Sequence, residues 1–243
     1  MNTLKPKITE ENMDLDRRKF LLGSAGVAAA TLTPMWLGAD AAFAEPRPDG
    51  KIITSAVAMK YLRIGNARWS SKTAVRKSYA PAGVPLEEGQ WPIAAIVSCA
   101  DSRVQPDELF DLAPANLFVV RNAGNVIDDD VLGSLEYAVE HLGVTLIVAM
   151  GHSGCGAVKA AEAVITGGKM PGGHVDALVN HISPALKALP VGHSIDQAVA
   201  ANAKQSRDLI LSESSMLEEA KAKGELRIVG ATYSIPTRKV AFL

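Results

Sequence analysis

Short apolar runs that end in polar turns alternate with helical stretches along this chain, and that alternation constrains the fold more than any other feature. "IAAIVSC" (93–99), "NLFVV" (116–120) and "VTLIVAM" (144–150) are too short for helices and carry no polar face. Such runs form strands buried on both sides. Between them lie "QPDELFDL", a short helix opened by Pro106, and "DDDVLGSLEYAVEHLG", whose leading aspartates favour the positive end of a helix and whose Gly143 closes it. "GAVKAAEAVITGG", "HVDALVNHISPALKAL" and "SIDQAVAANAKQSRDLILSESSMLEEAKAKG" read as further helix, and "ELRIVGATYSI" as a last strand that pairs with "KVAFL" through a turn at Pro236. Ahead of all these, "TSAVAMKYLRIGNARWSS" predicts one or two helices, and "SYAPAGVPLEEGQWP" a loop. The expected fold is α/β, a central, mostly parallel sheet flanked by helices.

In sheets of this kind the chemistry gathers at the carboxyl ends of the strands. Cys99 ends one strand and His152 follows another, so both loops should open on the same sheet edge. The two segments, "CADSRV" and "GHSGCG", offer two thiols, an imidazole and a carboxylate, all of them zinc ligands. His152 and Cys155 can bind from one turn, with Cys99 coming from the other strand. Three protein ligands leave a position for water; a fourth, Asp101, would close the site. The fork of Arg103 can hold that carboxylate off the metal and keep it ionised.

Other readings of the same residues stay open. G-H-S-G-C-G comes within one residue of the G-x-S-x-G elbow of serine hydrolases, with Cys155 where the last glycine belongs. Cys99 and Cys155, the only two cysteines, could form a disulfide, or the metal could be purely structural.

The N-terminus is a different kind of sequence. Arg17 and Arg18 precede the apolar run "FLLGSAGVAAATLTPMWLGADAAFA", which ends in the small-x-small triplet Ala42-Phe43-Ala44. Residues 1–44 are therefore expected to be an export signal resembling the twin-arginine type, leaving residues 45–243 as one domain with an N-terminal helical arm in the periplasm or beyond it. No stable membrane association is expected after cleavage. A net charge of −1 gives no basic surface for nucleic acid.

The segments "CADSRVQPDEL", "FVVRNAGN", "SLEYAVEHLGV" and "VAMGHSGCGAV" resemble the β-carbonic anhydrases in order and spacing. The resemblance implies a zinc lyase, with one Zn2+ per chain on Cys99, His152 and Cys155, and Asp101 with Arg103 as catalytic dyad. It implies reversible hydration of carbon dioxide to bicarbonate and a proton. Asp101 is a possible fourth ligand in a closed state. The plant-like subgroup's substrate residues match Gln90, Phe118 and Tyr137; Ala123 stands where valine is frequent, and the N–H of Gly156 is a further donor to substrate. Ile96 replaces the tryptophan of the bicarbonate-regulated subgroup, although its arginine position is filled by Arg121. The family's pocket is completed across a dimer interface, so a homodimer or dimer of dimers is expected. Hydrolysis of carbon disulfide or carbonyl sulfide is the alternative on the same fold.

Overall fold

The computed structural model describes residues 53–75, 86–87 and 89–243. The stretch expected to be an export signal, the lead-in 45–51 and most of the proline-bearing loop lie outside the described residues.

The stretch from Thr54 forms one helix, α1 (Ser55–Ser70), whose N-terminus is capped by the Thr54 hydroxyl accepting from the Val57 N–H. Then follow β1 (Ala94–Cys99), the short α2 (Pro106–Leu109), β2 (Leu117–Asn122), α3 (Asp129–Glu140), β3 (Leu146–His152) and α4 (Gly156–Ile165). The chain closes with α5 (Val175–Lys187), α6 (Ile195–Ser212), α7 (Ser215–Ala222), β4 (Arg227–Tyr233) and β5 (Val240–Phe242). The sheet order is β2-β1-β3-β4-β5; the first four strands are parallel, and β5 joins β4 antiparallel as expected of the final hairpin.

Every residue of β1 and β3 is buried, as their unbroken apolar runs require. Alternate residues serve opposite faces. Ala94, Ile96, Val148 and Met150 pack with Ala58, Met59 and Leu62 of α1 and Leu109 of α2. Ala95, Val97, Ile147 and Ala149 pack with α3, with Ile210 of α6 and with Leu217 of α7. The approach of α1 depends on Gly65, where a Cβ would lie 1.6 Å from the Phe110 carbonyl oxygen.

Two expectations shift. His152 does not follow its strand but ends it, because β3 stays paired to β4 as far as His152 opposite Tyr233. The long C-terminal helical stretch is two helices, since Ser214 caps α7 by accepting from the Leu217 N–H. Among the described residues, no helix is long and apolar enough to cross a membrane.

A third cluster, at the carboxyl end of the sheet, joins Cys99, Val126 and Cys155 to Val158, Ile182 and Val199 on α4, α5 and α6. The α5–α6 connection is tied to α4 by His193. Its Nδ1 lies 2.9 Å from the Pro190 carbonyl and its Nε2 2.9 Å from Glu162 Oε2. Both partners accept, so only the imidazolium satisfies both, and the Pro190 carbonyl, followed by Glu162, raises the pKa of the ring. A raised folded-state pKa stabilises the fold at pH below the unfolded value and ceases to do so as pH rises through the folded one. His193→Gln should therefore lower the urea midpoint at about pH 5.5, below the ordinary histidine value, and leave it unchanged well above neutrality. Equal losses at both pH values would show that the contact is not ionic.

Candidate metal centre

β1 and β3 are adjacent and parallel, so their carboxyl ends deliver Cys99 and His152 side by side. The turn after β3 then brings back Cys155 just before α4. One ligand atom from each of Cys99, His152 and Cys155 lies within 4.8 Å of the others, and all three residues are buried. The His152 Nδ1 is 3.1 Å from the Ser153 carbonyl, which can only accept. That contact places the proton on Nδ1 and leaves the Nε2 lone pair facing the cluster. Nε2 is buried without a hydrogen-bond partner, which is costly for an imidazole and natural for a metal ligand. The two sulfurs are 4.0 Å apart, not bonded to each other, and the cysteines are free, which sets aside the disulfide. A hydrogen bond from Cys155 draws the Cys99 thiol down to about 4, while the same neighbour and burial push Cys155 up. Two cysteine sulfurs and the unpartnered Nε2 of His152 supply three of the four ligands of a tetrahedral zinc ion, which would hold both sulfurs as thiolates.

Asp101 sits at the rim. Its Oδ2 is 3.9 Å from His152 Nε2. Arg103 holds it with a fork, Nε to Oδ1 at 2.9 Å and Nη2 to Oδ2 at 2.7 Å, and the Arg103 backbone N–H adds 3.0 Å to Oδ1. The guanidinium keeps the carboxyl well below the usual carboxylate range. Arg121 donates to the carbonyls of Cys99 (3.1 Å) and Asp101 (2.8 Å) and braces the loop between them. A contact not anticipated is the Gly124 N–H, which donates to Cys99 Sγ at 3.4 Å. The "RNAGN" run, which ends β2 and forms the turn after it, is the sequence signal for both.

Ser153 is not placed as a nucleophile. Its hydroxyl oxygen accepts the Ile235 N–H at 3.0 Å, and its own N–H donates to the Tyr233 carbonyl at 2.8 Å, so it stitches the turn to the end of β4. Ser153→Ala should keep its bound metal and lose only about 0.5–1.5 kcal/mol of stability, read from metal content and urea unfolding. Loss of all turnover in a chain that still holds metal would restore the hydrolase reading.

The remaining site residues fall into two groups. Ala123 follows β2 and Gly156 begins α4 beside Cys155, so both lie at the metal edge. Gln90, Phe118 and Tyr137 do not. Phe118 is paired with Ala95 and Asn122 with Cys99, so Phe118 lies four residues, roughly 13 Å, back along the strands. Gln90 precedes β1 altogether. The Tyr137 ring is 6.3 Å from that of Phe118, and with Gln90, Trp91, His141 and Leu142 it lines a separate cavity of about 540 Å³. Within one chain the substrate residues expected from the resemblance are thus divided between opposite ends of the sheet.

Comparison with known proteins agrees with this architecture. A family model described as carbonic anhydrase matches residues 94–240. Carbonic anhydrase 2 of Mycobacterium tuberculosis is 42% identical over 184 residues, 73% of this chain and 87% of that protein. The carbonic anhydrase of Mycolicibacterium smegmatis is 38% identical over 186 residues, 75% of this chain and 90% of the other. Among solved structures, a Coccomyxa β-carbonic anhydrase in complex with acetazolamide superposes with a TM-score of 0.61 at 29% identity, over 73% of this chain and 82% of that one. Matched by the family model over more than half its length, and 42% identical to a relative over nearly three-quarters of it, this chain belongs to the β-class carbonic anhydrase family.

Proposed function

We infer that the chain is a zinc-dependent enzyme for the reversible hydration of carbon dioxide to bicarbonate and a proton. The observation that carries this reading is the Cys99–His152–Cys155 cluster with its unpartnered Nε2, beside a carboxylate that Arg103 holds 3.9 Å away. When bound, zinc supplies Lewis acidity toward water, making its proton easier to lose near neutral pH. The chain's own residues do the rest. Asp101 stays ionised under Arg103 and accepts an O–H from a water in the cluster, which turns that water's lone pair away from the carboxylate and toward an incoming carbon. Ala123 is small and exposed at the same edge, leaving room for a linear triatomic substrate. The free N–H at Gly156, on the positive end of α4, suits the negative charge that develops on the product oxygens. Stopped-flow hydration with a pH indicator tests the reading: a zinc-dependent rate above buffer is expected between about pH 7 and 9. A zinc-loaded chain with no such rate refutes it.

The division of the substrate residues supports a homodimer, or a dimer of dimers, in which Gln90, Phe118 and Tyr137 of one chain complete the pocket of the other, as in the plant-like subgroup. A Sordaria macrospora relative of 25% identity, with a TM-score of 0.56, is described as tetrameric. A mixed dimer of a Cys99→Ser chain and a Gln90→Ala/Tyr137→Ala chain then contains one whole site and should recover about half the wild-type rate, although each homodimer is impaired. No recovery would place all the residues of a site in one chain.

Export through a twin-arginine-type signal is part of the same reading. It rests on Arg17 and Arg18 ahead of the apolar run and on Ala42-Phe43-Ala44. The mature protein should begin at Glu45 by N-terminal sequencing; a chain that retains Arg17 refutes cleavage.

A further inference from the structure

We propose that Asn202, on α6, is a positioning residue for the metal centre, acting on the Cys99 sulfur through the Gly124–Asn125 turn. The proposal rests on Cys99, His152 and Cys155 being the metal ligands.

The turn begins with the Gly124 N–H that donates to Cys99 Sγ. Such a donor withdraws charge from a thiolate and fixes its direction, so its placement matters to whatever the sulfur binds. The backbone there is unusual. Gly124 has φ +83°, and a Cβ on it would meet Ile182 Cδ1 at 2.7 Å and Ala157 Cβ at 2.9 Å. Asn125, with φ 48°, is left-handed too, without glycine's freedom. Two successive residues of this kind persist only where their surroundings over-determine them.

The surroundings that do so come from α6. Asn202 is 1% exposed, and its Nδ2 donates to the Gly124 carbonyl at 2.8 Å. One turn further along the same helix, the Ser206 hydroxyl lies 2.8 Å from the Asn125 carbonyl and takes a bond from Asn125 Nδ2 at 3.1 Å. Asn202 therefore grips the peptide that follows Gly124, while the peptide that precedes it carries the N–H aimed at sulfur. Without the Asn202 amide the Gly124 carbonyl is buried and unpaired, and the turn must rotate to find another donor. That rotation carries the N–H away from Cys99. Asn202 touches no ligand itself, and the metal centre's other braces, Arg121 and Arg103, act on a different loop.

The test is spectroscopic. In the cobalt-substituted enzyme, absorption from thiolate to cobalt reports the charge on the sulfurs. Asn202→Leu keeps the volume and removes the donor; its charge-transfer band should move to longer wavelength, because an N–H···S bond lowers the energy of the sulfur electrons. Zinc affinity, read by competition with a chromophoric chelator, should fall by about 10-fold, the low end for an outer contact of a metal ligand. Ile210→Ala is the control: Ile210 is fully buried on the same helix but lies two turns beyond Asn202 and packs with Leu135 of α3 and Leu217 of α7 instead of with the turn. It loosens the fold without touching the turn, and should leave band and affinity as in the wild type. A folded Asn202→Leu chain with the wild-type band and affinity overturns the proposal, as does an Ile210→Ala chain that shifts both equally. If the leucine chain does not fold, Asn202→Ser, too short to reach the carbonyl, is read by the same criteria. A wild-type chain that takes up neither cobalt nor zinc removes the ligand assignment, and the positioning role with it.

Discussion

Cys155→Ser is expected to strip the zinc from the enzyme and abolish hydration without unfolding the chain. A serine hydroxyl does not ionise near neutral pH, so one of the two thiolates is replaced by a neutral, harder oxygen. The site has no means to compensate. Cys155 is fully buried, and the backbone on either side of it is fixed, by the strand ending at His152 and by the helix starting at Gly156. The loss in zinc affinity should exceed the roughly 10–100-fold that follows from disturbing an outer contact. The fold should survive because its core does not depend on the metal. Two apolar clusters, one on each face of the sheet, hold α1, α3 and α7 without any contribution from the cysteines. Metal analysis after dialysis against chelator, with circular dichroism and stopped-flow rates, checks all three points. A Cys155→Ser chain with one zinc and an appreciable rate would remove Cys155 from the ligand set. A chain that unfolds would instead make the metal a structural element, as in small zinc modules.

How far the site could be read from the chain depends on what each residue's role requires. Cys99, Asp101 and Arg103 are legible because a short apolar run announces a strand end, and few chemistries need a thiol, a carboxylate and a guanidinium at alternate positions after it. His152 and Cys155 are legible for the same reason. The apolar run breaks at Met150, however, so the true end of β3 is not legible. Gly151 and His152 continue the strand by pairing with Thr232 and Tyr233 of β4, a long-range constraint that leaves no local trace. Gln90, Phe118 and Tyr137 are recognisable as pocket residues only by resemblance, and linear spacing cannot say which chain's pocket they serve. The parallel register adds only that Phe118 lies back from its own chain's metal edge, opposite Ala95 and not opposite Cys99, which is what the proposed sharing of the pocket between chains is built on. Asn202 is the extreme case. It stands in "AVAANAKQ", where nothing marks it apart from a polar residue on a helix surface. Its function exists only through the approach of α6 to a turn that precedes it by some 78 positions.

Arg103→Ala is expected to give the opposite phenotype to Cys155→Ser: zinc kept, activity lost. Arg103 is 57% exposed in the single chain, so its ion pair adds little to stability, and neither unfolding nor loss of ligands should follow. What changes is the freedom of Asp101. With the guanidinium fork gone, the carboxylate keeps only the backbone N–H of residue 103, at 3.0 Å. It already lies 3.9 Å from His152 Nε2, and carboxylate oxygen is itself a zinc ligand. A side-chain rotation then brings Asp101 into the fourth position and leaves no acceptor to orient water. Hydration should fall by about 10²–10⁴, the usual range for losing a positioned proton acceptor. Arg103→Lys should not restore it, because an ammonium cannot supply the two parallel donors that hold both carboxylate oxygens. Asp101→Asn separates the two effects of the arginine: it loses the acceptor and leaves the fourth position without a competing carboxylate, so it should be equally slow yet still bind small anions at the metal, which Arg103→Ala should not. Wild-type turnover in Arg103→Ala would show that Asp101 needs no restraint. Loss of zinc in the same chain would show that the arginine holds the ligand loop together, not the carboxylate alone.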